Sequence, residues 1–405
     1  MKPFSLKLLK SSNRRVRSRF LFPLACCLLS VAFDIPPHSP LPAIAQTTDA
    51  RKTEADRLYE QGKQQYQTSQ LRAALNSWEQ ALQIYRALKN RRGEGNALGG
   101  LGLAYHSLGN HAKAIEYTQQ HLAIAREIKD RQSEGVALGN LGLAYRSLGN
   151  HAKAIDYGQQ QLAIAREIKH RQSEGTALGN LGGAYHSLGN YTKAIDYGQQ
   201  QLAIAREIKH RQSEGNALGH LGIAYHSLGN YAKAIEYGQQ SLAIALEIKD
   251  RRGEGAALGS LANAYHSLGN YAKAIEYGQQ SLAIALEIKD RRGEGAALGN
   301  LGGAYAYLGN YATAIDYGQQ QLAIAREIKD RRGEGGALGN LGFAYRSLGN
   351  YATAIDYGQQ QLALAREIKD RRGEGNALGS LGVVYRSLGN YAKAIEYSQQ
   401  TLAIT

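Results

Sequence analysis

RRGEGAALGNLGGAYAYLGN (residues 291–310) looks at first like a phosphate cradle, with glycines at 293, 295, 299 and 302 leading into a helical stretch. Such a loop holds phosphate when it follows a strand and opens a helix, so that backbone N–H groups converge on the anion. The residues before it, SLAIALEIK (281–289), have helical spacing and not the alternation of a strand. The motif also returns at Gly93, Gly253, Gly333 and Gly373, always a multiple of forty residues away. A nucleotide site occurs once, whereas a joint between structural units recurs. The glycines are therefore read as places where helices approach closely.

Aligned on Leu-Gly-Asn, the units begin at Arg91, Arg131, Arg171, Arg211, Arg251, Arg291, Arg331 and Arg371, and the last is cut short at Thr405. A fixed period of this length marks a repeat architecture. Each unit holds two amphipathic segments. In the unit from Arg211, Ala234, Ile235, Gly238, Leu242, Ala245 and Ile248 form one stripe of the second segment, with Lys233, Glu236, Gln239, Glu247 and Lys249 facing water. Gly229 suits the left-handed residue that closes a helix, Asn230 caps the next, and Asp250 caps the following unit. His170 and His210 take the aspartate's place in two units and predict looser joints there. Gly219 and Gly222 each cost about 1 kcal/mol of helix propensity, offset by backbone-to-backbone packing, with Tyr225, Tyr231 and Tyr237 filling the wider gaps.

The first 45 residues are a different material. They hold all six prolines, both cysteines and four of the five phenylalanines. Seven lysines and arginines precede the apolar run FLFPLACCLLSVAF (20–33), and Ala43-Ile44-Ala45 offers a cleavage site, which together read as a signal peptide over residues 1–45. The run is short of the roughly 20 apolar residues that span a bilayer, so no stable membrane insertion is expected after cleavage, and the mature chain is expected in the periplasm or outside the cell. Cleavage removes Cys26 and Cys27 and with them any disulfide, thiol nucleophile or thiolate metal site. The net charge of +14 also shrinks: of 48 basic and 34 acidic residues, seven and one lie in this segment, leaving 41 against 33. That mild surplus, in an exported chain, argues against nucleic acid as partner. Residues 46–53 are read as a short linker.

Leu101, Gly102, Tyr105, Gly109, Ala114, Tyr117 and Leu122 carry a resemblance to the tetratricopeptide helix hairpin, and the degenerate unit over residues 54–90 shares it through Gly62, Ala74, Trp78 and Ala81. The forty-residue period resembles the Leu-Gly-Asn repeats of Pins-type adaptors and the long arrays of exported cyanobacterial proteins, many of which carry a caspase-like CHAT protease domain. The resemblance implies an all-α, right-handed superhelical solenoid: one degenerate repeat over 54–90 and eight repeats over 91–405, the last truncated. It implies a protein-binding scaffold, or alternatively the regulatory half of a CHAT-type protease whose catalytic domain is missing. The chain departs from the family's pattern in three ways. No unit has the helix-ending proline, so the second helix can run on through Arg-Glu-Ile-Lys. Gly158 stands where an aromatic is usual, and Gln161 or Ser241 where alanine is usual.

No nucleophile elbow, HExxH or catalytic cluster is present, so neither enzyme activity nor a cofactor is expected. Histidines repeating every forty residues sit too far apart to share a zinc ion, since packed helices lie about 10 Å apart and zinc ligands about 2 Å from the metal. Function is sought instead where near-identical units differ. Three variable rows fall at i, i+3 and i+6 on the first helix and share a face. They place Asn140, Asn180, His220, Asn300 and Asn340 in one row, Asn263 and Phe343 in the second, and Arg146, His186, His226, His266, Arg346 and Arg386 in the third. The family resemblance assigns that face to the concave groove. Drift on an unconstrained face would also vary, but the changes are chemically large. Asparagine and arginine can pair with a peptide backbone and its carboxylates, so an acidic or amide-rich peptide or protein is the expected partner. Helical-repeat recognition of RNA is the rival reading. The unit from Arg371 lacks a closing turn, which predicts poor cover of Leu402 and Ile404 and an opening for end-to-end self-association.

Overall fold

The computed structural model describes residues 48–404, which form eighteen α-helices and no strand. The leader read over residues 1–45 lies outside them. Helix α1 (Thr48–Gln67) pairs with α2 (Leu71–Ala87), and its first turns take up residues that sequence reading gave to a linker. Each later unit is a hairpin of two helices, as in α9 (Arg211–Ser227) with α10 (Tyr231–Glu247) and α11 (Arg251–Ser267) with α12 (Tyr271–Glu287). Every helix packs on its chain neighbours, and the odd-numbered helices also touch one another across units while the even-numbered ones do not. The odd helices therefore line the shorter, inner side of the solenoid. No helix among the described residues is long and apolar enough to cross a membrane.

The joints follow the expected chemistry on one side and depart from it on the other. Gly229 has φ +84°, the Asn230 N–H reaches the Tyr225 carbonyl at 2.9 Å, and the Asn230 side chain accepts from the Lys233 N–H. The second helix does not run through Arg-Glu-Ile-Lys. Helix α10 ends at Glu247, and Lys249 turns left-handed at φ 57° while Asp250 N–H donates to Ala245 O at 2.8 Å. A proline is unnecessary because a left-handed residue makes the same six-to-one closure as the glycine joint. Nor are the histidine joints looser, since His170 Nδ1 accepts from Ser173 N–H at 3.1 Å where Asp130 accepts from Ser133 N–H at 3.0 Å.

Units are locked together by a leucine in a glycine notch. Leu261 of α11 is fully buried, and a Cβ added at Gly238 of α10 would lie 2.9 Å from its Cδ2. Leu181 on Gly158, Leu221 on Gly198, Leu301 on Gly278, Leu341 on Gly318 and Leu381 on Gly358 repeat the contact. This is what the glycine in the aromatic's place is for. In the first hairpin the same position is Trp78, whose indole lies against both Gly62 and Gly100. Within a unit Gly222 lets α9 approach α10 closely, an added Cβ meeting Ala234 O at 3.3 Å. Tyr225 and Tyr237 stack at 5.4 Å between the two helices, with Lys233 over the Tyr225 ring.

Polar clamps finish each joint. The buried Glu214 pairs with Arg206 of the preceding unit at 2.9 Å and with Arg211, which also pairs with Glu247. In the equivalent Glu174, burial alone would raise the carboxyl's pKa, but bonds from Arg166 and Arg171 outweigh it and hold it below the usual range. Leu246 and Leu286 stand where the other units have arginine, so Glu254 and Glu294 keep their own-helix partners, Arg251 and Arg291, without that second clamp. The winding brings distant units together: Arg332 acts on His111 and Arg372 on His186. On the last helix, α18 (Tyr391–Leu402), Tyr391, Ile395 and Leu402 are exposed, whereas the equivalent Tyr271 and Ile275 are half-buried.

A lysine held left-handed costs about 1 kcal/mol that glycine does not incur. Lys249→Gly is therefore expected to raise the urea midpoint, by about 0.5–1 kcal/mol of stability after the added flexibility of the unfolded chain. An unchanged or lowered midpoint would contradict this account of the joint.

Candidate functional site

The three variable rows lie on the inner face as the spacing predicts, but they line separate clefts and not one uniform groove. The largest, of about 740 Å³, lies between α11, α13 (Arg291–Tyr307) and α15 (Arg331–Ser347). Asn263, His266, Asn300 and Asn340 form its walls, Arg252 and Arg292 stand at one end beside Asp290 and Asp330, with Arg292 Nε 3.7 Å from Asp330 Oδ2, and Ile284, Ile288, Ile324 and Ile328 reach it from the outer layer. A second, of about 310 Å³, gathers Arg146 of α5 (Arg131–Ser147), His186 of α7 (Arg171–Ser187) and His220 of α9. A third, of about 330 Å³, holds Phe343 and Arg346, with the guanidinium 5.1 Å above the phenyl ring. Arg386 lines a further cleft against α18.

Asn140, Asn180 and His226 line none of these four clefts. Asn180 donates to Gln161 Oε1 at 3.0 Å and His226 Nε2 meets Ser267 Oγ at 2.9 Å. Asn140 Nδ2 is buried with no bond among the described residues.

The size of the main cleft is decided by a residue the variable rows do not include. In four units a glutamine of the second helix lies across the glycine of the first: Gln161 on Gly139, Gln201 on Gly179, Gln321 on Gly299 and Gln361 on Gly339. In three of them the amide bridges to the next unit, Gln161 and Gln321 accepting from Asn180 and Asn340 and Gln201 meeting His220, while Gln361 Oε1 is buried without a bond among the described residues. Ser241 and Ser281 replace it in two consecutive units. The shorter hydroxyls turn back to Gly215 O and Gly255 O at 3.0 Å, and Asn300 reaches instead to Gly259 O at 3.3 Å. Without the glutamine layer the space between α11 and α13 opens down to Ile284 and Ile288 of α12. The serine was visible in the sequence as a departure from alanine, but only packing shows that it removes a bridge.

A second break falls at Ala306-Tyr307. Elsewhere the histidine row is tied to the serine one unit on, as His106 to Ser147 at 3.1 Å and His186 to Ser227 at 2.9 Å. Tyr307 takes the serine's place, so the His266 ring meets Tyr307 edge-on at 5.0 Å and its Nε2 is left buried without a hydrogen bond. Tyr307 also stacks on Tyr271 and Phe343, making an aromatic rim beside the main cleft.

The histidines are thus serine-bonded or ring-packed, and burial lowers the pKa of His186, His226 and His266. His121, which stands in the glutamine row, is pushed down to about 4 by burial. Among the described residues no three metal-ligating side chains converge. The glycine-rich stretch of residues 291–310 is helical, and the Gly293 N–H already donates to Asp290 Oδ1 at 3.1 Å, so that amide is not free for a phosphate.

The tetratricopeptide repeat profile matches residues 54–127, 96–167, 133–207, 173–247, 253–327 and 334–405. No curated protein compared with the chain matches it. Among solved structures, a Rap protein complexed with Competence and Sporulation Factor superposes with a TM-score of 0.62 at 14% identity, covering 87% of this chain and 98% of that one. The apo quorum sensor NprR from B. thuringiensis gives 0.59 at 14%, covering 84% and 99%. A signal transduction ATPase with numerous domains, carrying a tetratricopeptide repeat sensor, from Pyrococcus horikoshii gives 0.58 at 16% and covers 82% of this chain. This chain spans 52% of that protein's length. At such identities the likeness is one of fold, an all-helical repeat solenoid. With its profile running through nearly all of the described helices, the chain belongs to the tetratricopeptide repeat family.

Proposed function

We propose that this protein is a non-catalytic scaffold that holds an extended peptide or protein segment on its inner face, and that the segment is acidic or amide-rich. The observation that carries the reading is the main cleft. It combines an apolar floor of four isoleucines with the amide groups of Asn263, Asn300 and Asn340 and the guanidinium groups of Arg252 and Arg292. A small number of convergent polar groups over an apolar floor is the usual make-up of a ligand pocket. Amides can pair with an extended backbone, and guanidiniums with its carboxylates. Support by analogy comes from the Rap protein of the same fold, which was solved with Competence and Sporulation Factor.

The segment is expected to be selectable from a random twelve-residue peptide library displayed on phage and panned on the full chain. Ser281→Gln restores the side chain native at 161, 201, 321 and 361 and closes the cleft. It is expected to weaken the selected peptides at least tenfold, about 1.4 kcal/mol, with an unchanged circular dichroism spectrum. Failure to select any peptide, or full affinity in a folded Ser281→Gln chain, would remove the main cleft from the account.

We propose also that the protein acts outside the cytoplasm. The basic, apolar and small-residue zones of residues 1–45 support this. N-terminal sequencing of the accumulated protein is expected to begin at Gln46, and a start at Met1 or Lys2 would contradict it.

A further inference from the structure

The second cleft has an electrostatic feature that the others lack. Arg146 is half-buried, yet its guanidinium makes no hydrogen bond and no ion pair among the described residues. Many arginines of this chain are clamped, among them Arg126, Arg131, Arg166 and Arg206, which all hold a glutamate. Arg346, in the same row as Arg146, lies over a phenyl ring. Arg146 instead drops into the space left by the missing side chain of Gly183, where a Cβ would strike its Nη1. The variable row thus has glycine at the one place where it admits the arginine of the preceding unit.

Its neighbours are all neutral or cationic, and they include His106 of α3 (Arg91–Ser107), whose pKa is lowered by burial first, then His111, then Arg146. His186 stands on α7 with its Nε2 on Ser227 Oγ at 2.9 Å, and His220 stands on α9 with its Nδ1 3.3 Å from Gln201 Oε1. The side chain of His220 reaches solvent at the cleft, and the protein packed around it, then Arg146, then His186, lower its pKa. His186 is lowered by burial first, then by Arg146 and by Arg372 arriving from α17 (Arg371–Ser387) on the next turn of the superhelix. Arg146 itself is lowered by burial alone. No aspartate or glutamate contributes to any of the three. Removing a cation from water without a partner is costly, and the cost is relieved when an anion arrives with matching geometry. A guanidinium over a cleft this size favours a planar carboxylate, which it can bind through two parallel bonds.

We propose that Arg146, flanked by His186 and His220, is a carboxylate-binding site in which the guanidinium pairs with the ligand and the two imidazoles add protonated donors as pH falls. The inference rests on the inner face being the binding face, and it adds the chemistry of one contact and its location, with Arg146 three units before the first unit of the main cleft. The carboxylate can belong to an acidic side chain of a bound segment or to a free dicarboxylic acid. Both present the same group to Arg146.

The test uses the full chain and reads the ring signals of His186 and His220 by NMR, assigned from His186→Gln and His220→Gln. The probes are glutarate and an acetylated, amidated hexapeptide with a central Glu-Asp pair. Either probe is expected to shift both rings and raise their pKa values, because a nearby carboxylate favours imidazolium. Binding then takes up protons, so the affinity for the hexapeptide is expected to rise several-fold as pH is lowered from 7.5 to 5.5, a range in which its Glu and Asp carboxylates stay ionised. In Arg146→Gln the affinity is expected to fall at least tenfold, and both histidine pKa values in the free protein should rise as the repulsion is lost. A tighter hexapeptide identifies a bound segment as the source; binding of glutarate alone identifies a small acid. Rings that respond to neither probe, or an equal response in Arg146→Gln, would overturn the site. Library peptides that depend on Ser281 but not on Arg146 would overturn it too, and would leave the reading of the inner face standing.

Discussion

One contact turns a row of hairpins into a solenoid: at six of the eight joints a buried leucine of the first helix is set into a glycine notch of the preceding second helix. Leu261 on Gly238 is the type, and the pair recurs from Leu181 on Gly158 to Leu381 on Gly358. A hairpin of two short helices buries its apolar stripe only against its neighbours, so the inter-unit contact carries much of the stability of such an array. Glycine in mid-helix gives up about 1 kcal/mol of propensity. A fully buried leucine gains roughly 1.5–3 kcal/mol over an exposed one. The exchange is favourable once the notch is filled, and it fixes where the next unit sits.

Because stacking is settled by leucine, glycine and the arginine–glutamate clamps, the inner layer is left free to vary without unfolding the array. The units use this freedom unevenly. Where glutamine lies across the glycine, as at Gln161 and Gln321, the inner layer is bridged from unit to unit. Where serine replaces it at 241 and 281, the layer opens. The same two units also lose the arginine clamp to Leu246 and Leu286, so the middle of the solenoid differs from its flanks on both its inner and outer helices. The cleft is a consequence of side chains too short to reach across.

Much of this was legible in the sequence, for identifiable reasons. Period, helix number and caps are local: Asn230 and Asp250 cap because of what stands three residues on, and Gly229 turns because it can. That the variable rows share one face followed from spacing, and its place on the inner side from the family resemblance. What the sequence concealed is whatever depends on a partner forty residues away. Lys249 carries no mark of a left-handed turn, and its role appears only in the backbone. His186 and His226 stand in one row forty residues apart, and their partners are Ser227 and Ser267 of the next unit. Arg146 and Arg346 stand in the same row, and only Gly183 against Phe343 decides that one enters a notch and the other covers a ring.

The leucine and glycine notch is tested most directly by a double-mutant cycle in urea. Alanine is the better helix former, so Gly238→Ala alone would stabilise by about 1 kcal/mol if the helix were free. A Cβ 2.9 Å from Leu261 Cδ2, against a side chain with no room to turn, reverses the sign. Overpacking of a buried site costs about 1–3 kcal/mol. The account predicts that Gly238→Ala destabilises the wild-type chain and becomes neutral or stabilising in a Leu261→Ala background. A stabilising Gly238→Ala in the wild-type chain would show that the units are held by something other than this notch.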